Sequence, residues 1–67
     1  MLRLWRVRRR HDHMDAVLSP ETSRWTLEFR RNDRPFLVWR YADRESAVAE
    51  ADARLHELLR AGWTSHW

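Results

Sequence analysis

Apolar and polar positions along this chain follow two periods, first of two residues and then of 3.6. From about Arg3 to Arg9, Trp5 and Val7 fall on one face and Arg6 and Arg8 on the other, as a strand with one buried face requires. His11-Asp12 reads as a turn. A second strand follows from His13 to Leu18, with Met14, Ala16 and Leu18 on one face and His13, Asp15 and Val17 on the other. Ser19-Pro20-Glu21-Thr22-Ser23 reads as a loop, because proline presets φ and small hydroxyls satisfy turn backbone. The third strand alternates most cleanly: Trp25, Leu27 and Phe29 against Arg24, Thr26, Glu28 and Arg30. Asn32-Asp33 suits a tight hairpin, since both residues tolerate left-handed backbone. A fourth strand runs from about Phe36 to Tyr41. If Arg40 faces water, then Leu37, Trp39 and Tyr41 point inward and Phe36 and Val38 point outward.

The period then changes. Val48, Ala51, Leu55, Leu58 and Leu59 form a helical stripe. Asp43 is a good N-cap, and Glu45 complements the positive end of the helix dipole. Gly62, the only glycine, stands where a left-handed cap would close the helix, and Trp63 stands where a residue packs back on the last turn near Leu58. The pattern predicts a single soluble α+β domain over residues 1–67: an antiparallel sheet of three to four strands with one C-terminal helix, about Asp43 to Ala61, packed on one face. The expected core is Trp5, Trp25, Leu27, Phe29, Trp39, Val48, Leu55, Leu58 and Leu59.

Length makes the aromatic content matter. At 67 residues the chain is close to the lower limit for independent folding. It has no cysteine, so neither a disulfide nor a thiolate metal site can help. Five Trp, two Phe and one Tyr can each bury roughly 150–250 Å², and self-association is another way of adding core. No apolar run approaches the roughly 20 residues of a membrane span. No apolar stretch follows the basic start as in a secretory leader. With the lack of Cys, this points to a bacterial cytoplasmic location.

Charge is segregated. All 13 basic residues are Arg, which fits a GC-rich codon bias as well as a phosphate-binding role. Residues 1–40 hold ten Arg against five acids, an excess of +5, and residues 41–67 hold three Arg against five acids, a balance of −2. The expected sheet is therefore basic and the expected helix acidic. An outer sheet face carrying Arg6, Arg8, Arg30 and Arg40 with Phe36 and Val38 has the chemistry of a single-stranded nucleic-acid surface: guanidinium groups for phosphates and an aromatic platform for bases. The same six residues also make an interface core with a charged rim, which a second copy or another protein could cover. Ordinary solvation of a wet sheet face accounts for the arginines alone.

Other chemistry has less in its favour. His11 and His13, with Asp15 as a third donor, could share a strand face, yet short His patterns are weak metal signals. The serines lie in loop, cap or terminal contexts, and Glu50, Asp52 and Glu57 read as a solvated helix face. Phosphate cradles need Gly-rich loops at helix starts. The sequence thus reads as a non-enzymatic binding module with no cofactor. Trp67, after Thr64-Ser65-His66, could dock on the sheet edge or the helix end.

The stretch Arg40-Tyr-Ala-Asp-Arg-Glu-Ser-Ala-Val-Ala-Glu-Ala51, with Ala61-Gly62-Trp63, resembles a pattern in a family of short uncharacterised bacterial proteins, in which an Arg-aromatic strand end leads into an acidic, Ala-rich helix closed by Gly-Trp. Trp5-x-Val-Arg and Asp15-Ala-Val-Leu18 are similar to that pattern too. The resemblance implies a fold and no activity. The strand, helix, Gly-aromatic order is also similar to the tail of the WGR domain, a nucleic-acid-associated module, although this chain lacks its Trp-Gly-Arg signature.

Overall fold

Three two-residue turns shape the sheet. In the computed structural model, which describes residues 1–65, β1 (Leu2–Arg9), β2 (Asp12–Glu21), β3 (Arg24–Arg31) and β4 (Arg34–Tyr41) form an antiparallel meander. Arg10 and the Asn32-Asp33 pair adopt positive φ, at 56°, 51° and 71°, the conformation that twists a tight hairpin to match its strands. The expected Ser19–Ser23 loop is shorter than its composition suggests. β2 continues through Pro20 and Glu21, and only Thr22 and Ser23 turn the chain. Pro20 is tolerated there because it lies past the end of the β1 pairing, which stops at Leu2 opposite Leu18.

Helix α1 (Arg44–Arg60) follows, and a two-residue strand, β5 (Thr64–Ser65), pairs with β1. The sheet therefore has five strands in the order β4-β3-β2-β1-β5, one more than the upper expectation. Polar Thr64-Ser65 gives no strand signal. Its pairing is enforced by the chain leaving the helix beside β1, where the Thr64 hydroxyl donates to the Arg8 carbonyl at 3.1 Å. The expectation for Trp67 lies outside the described residues.

The helix ends conform to the sequence. The Asp43 side chain accepts from the Ser46 N–H at 2.7 Å, and this bond holds its carboxyl below the usual range. At the other end Gly62 has φ of 101°. The Trp63 N–H bonds the Leu58 carbonyl at 3.0 Å and the Gly62 N–H bonds that of Leu59 at 3.2 Å, the paired closure of a Schellman cap. Trp63 is thereby turned into the core, and the Arg9 guanidinium lies 4.6 Å from its ring centroid.

The core comprises Trp5, Val7, Ala16, Leu18, Leu27, Phe29, Ala47, Ala51 and Trp63, with Leu4, Met14, Trp25, Leu37, Tyr41, Val48, Leu55 and Leu58 packed against it. Two expected members are corrected. Trp39 is 39% exposed and Leu59 is 38% exposed. Trp39 does point to the helix side, but β4 is the edge strand, and the Arg54 guanidinium lies 5.8 Å from the indole centroid. Small residues occupy the centre of the helix face instead. Ala47 and Ala51 let the helix backbone come close enough for the Trp5 indole N–H to donate to the Ala51 carbonyl at 2.8 Å.

Two outcomes follow. Gly62→Ala meets no atom within 4 Å but is strained by its backbone, and should lower stability by about 1–2 kcal/mol in thermal or urea unfolding. Ala51→Leu should cost about 1–3 kcal/mol by overpacking against Trp5 and should red-shift tryptophan emission as that indole loses its dry contact.

Candidate binding surfaces

Alternation along the strands leaves one sheet face without a covering helix. Strand pairing arranges that open face in rows: Arg6 beside Asp15 beside Arg30, Arg3 beside Val17 beside Glu28 beside Val38, and Ser19 beside Thr26 beside Arg40. Placing an aspartate between two arginine strands satisfies the cross-strand preference for opposite charge. Asp15 is only 3% exposed. Arg6 holds it in a bidentate pair, Nε to Oδ1 at 2.6 Å and the second nitrogen to Oδ2 at 2.9 Å, while Arg3 stands 3.9 Å away. The Arg6 hydrogen bond keeps the Asp15 carboxyl below the usual carboxylate range against the opposing effect of burial.

This pairing changes the electrostatics expected of the face. Arg6 is engaged by Asp15 and lies 3.7 Å from Asp33. Arg30 donates to Glu28. Arg40 lies 3.7 Å from Glu21. Of the four arginines the sequence nominates, Arg8 alone has no carboxylate within 4 Å among the described residues. It sits beside His13 in register, and His13 Nε2 is 3.3 Å from Asp33. His11 lies in the β1–β2 turn rather than on the strand face with His13. The sequence placed the arginines on one face but did not anticipate how far the intervening carboxylates neutralise them. The parity of Asp15 between Arg6 and Arg30 was the available signal.

Phe36 needs a correction. Strict alternation puts it on the open face with Val38. The pairing shifts between Phe29, opposite Leu37, and Arg30, opposite Pro35, so Phe36 is the additional residue of a β-bulge. Its ring lines a cavity of about 140 Å³ on the helix side with Met14, Phe29, Leu37, Arg54, Glu57 and Leu58. Val38 stays on the open face beside Glu28. The six nominated residues therefore do not form one patch. The arginines and Val38 share the open face, and Phe36 opens onto the other side of β4.

What gathers instead is a set of large apolar residues along β4. Phe36 is 54% exposed, Val38 42% and Trp39 39%. They occupy both sides of a strand whose outer edge has no partner among the described residues. The turn pair Arg31 and Arg34 closes the β3–β4 hairpin, so main-chain groups alternate from there. Leu37, Trp39 and Tyr41 bond toward β3, and Val38 and Arg40 direct their N–H and C=O groups to the open edge. Pro35 and the bulge blunt the first half of the edge, as edge strands commonly require, and leave Leu37–Tyr41 regular. Arg54, from α1, places its guanidinium 5.8 Å from the Trp39 ring centroid. No helix among the described residues is long and apolar enough to cross a membrane.

The Asp15 pair makes a pH prediction. Its folded-state carboxyl titrates below the unfolded value of about 3.9, so its contribution is fully present above that pH and is lost as pH falls through the folded value. Asp15→Asn should lower stability by about 1–3 kcal/mol at neutral pH. It should also flatten the decline of stability below about pH 4, measured by urea unfolding across an acid series.

No protein-family model, curated protein or solved structure matches the chain. What these surfaces bind is therefore argued from their own chemistry.

Proposed function

We propose that this chain is a small non-enzymatic protein-interaction module that takes its partner along the open edge of β4. The observation that carries this reading is the coincidence of three exposed large apolar residues, Phe36, Val38 and Trp39, with the unpaired main-chain groups of Val38 and Arg40. Edge recognition uses those two ingredients: main-chain bonds supply affinity, and pockets for alternate side chains supply specificity. The cavity beside Phe36 and Leu37 is such a pocket, apolar at its base with Arg54 and Glu57 at its rim. Exposed aromatics near charged groups also match the composition of interface centres.

Single-stranded nucleic acid on the open face has less support. Arg6, Arg30 and Arg40 already face carboxylates, and releasing them for phosphates would leave Asp15 buried and unpaired, a costly exchange. The aromatic that would stack bases lies on the other side of the sheet.

A photo-crosslinking amino acid at position 36, activated in cells, tests the proposal against a second probe at position 8. Discrete protein adducts from position 36 are expected, with none from position 8. Nucleic-acid adducts from position 8, with no protein adducts from position 36, would overturn it in favour of the basic face.

A further inference from the structure

We infer that the partner on the β4 edge is a second copy of this chain, joined antiparallel about a two-fold axis through Val38 so that two five-stranded sheets become one. The inference rests on the protein-interaction reading and adds the identity of the partner. It follows from the register of β4 itself. A two-fold axis perpendicular to a sheet keeps both helices on the same face, so residues that meet at the centre of the contact must share a side-chain direction. Axes through Leu37, Val38 or Trp39 are the choices centred on the apolar segment.

An axis through Leu37 sets the bulged Phe36, which opens to the helix side, opposite Val38 of the other copy, which faces the open side, so the facing side chains diverge at the centre of the contact. An axis through Trp39 sets each Trp39 against its own copy and Tyr41 against Leu37 of the other chain, which keeps the exposed indole away from the partner's cavity. The axis through Val38 keeps Leu37, Val38 and Trp39 meeting in matching directions and moves the bulge to the flanks. Val38 meets its own copy, and each donates its outward N–H to the other's carbonyl. Farther out, Arg40 lies across from the bulged Phe36 with the two side chains on opposite faces of the sheet, so neither crowds the other. Trp39 of each chain comes opposite Leu37 of the other, on the helix side, at the mouth of the cavity lined by Phe36, Leu37, Phe29 and Leu58.

Knob and hole are thus carried by one strand three residues apart and become complementary under this one operation. The entering indole meets Arg54 at the rim, a pairing that Arg54 already makes with Trp39 of its own chain. The three exposed apolar residues of β4 then have a single explanation. Trp39 fills the partner's cavity, Phe36 walls the cavity that receives it, and Val38 sits on the axis.

The absence of native cysteine makes the test direct. Directly opposed residues of a hydrogen-bonded antiparallel pair have Cα atoms about 5.5 Å apart, within disulfide range. Val38→Cys should therefore oxidise to a disulfide-linked dimer, whereas Thr26→Cys, on the open face, should not. Light scattering of the unmodified protein at high micromolar concentration should give twice the chain mass. Val38→Arg, which opposes two charges on the axis, should give the monomer mass with an unchanged far-UV spectrum. Trp39→Ala should weaken association at least tenfold. A monomer at high micromolar concentration would overturn the inference. So would cross-linking of Thr26→Cys in preference to Val38→Cys, which would indicate sheets stacked face to face. If the protein is monomeric while position 36 still yields adducts with a different chain, the copy-to-copy inference fails and the interaction module stands. If position 36 yields no protein adduct at all, both fail.

Discussion

The Trp5 indole N–H on the Ala51 carbonyl sets the distance between helix and sheet, and the other contacts of the core adjust to it. A carbonyl in mid-helix already serves the helix, so a second donor can reach it only where the neighbouring side chains are small. Ala47 and Ala51 provide that approach. Close docking brings Val48, Leu55 and Leu58 down on either side, and it leaves Trp63 the space that the Gly62 turn directs it into. A chain of this length cannot fill its core with aliphatic layers. It uses one large ring as a spacer and a second as a closing plug.

The two sides of the sheet are held by different physics. Beneath the helix, burial of apolar area dominates. On the open side Asp15 and Val17 are nearly as inaccessible with no helix above them, because they lie between strands bearing long arginine and glutamate side chains whose stems cover them. Asp15 is tolerated there only because Arg6 satisfies both of its oxygens. The arginines that give the sequence its basic character are thus partly structural, roofing the open face.

Much of this was legible from period alone. Alternation in β3 and the helical stripe from Val48 to Leu58 locate the layers. Asp43, Asn32-Asp33 and Gly62 announce their caps and turns by residue type, since few other side chains tolerate those conformations. What escaped are features of tertiary origin. Trp39 has inward parity, but parity does not reveal that its strand is the last in the sheet. Leu59 sits beside a true core position on the helix wheel and falls just outside the covered stripe. Phe36 departs from strict alternation because a bulge moves side chains across the sheet without altering composition, and Pro35 is the local hint of it. Thr64-Ser65 forms a strand because its neighbour is there.

The path of the chain at the two sheet edges bears on the order of assembly. β4 and β5 lie on opposite edges and run parallel, so α1 must span the sheet between them. The meander joins neighbours through two-residue turns, which close with little entropy loss, whereas the β1–β5 pairing links residues separated by most of the chain and must wait for the helix to cross. The hairpin contacts can therefore form early, and those of Trp63 and Thr64 form late. On that ordering the C-terminal strand is the latch of the fold, the last piece to engage and the first to let go.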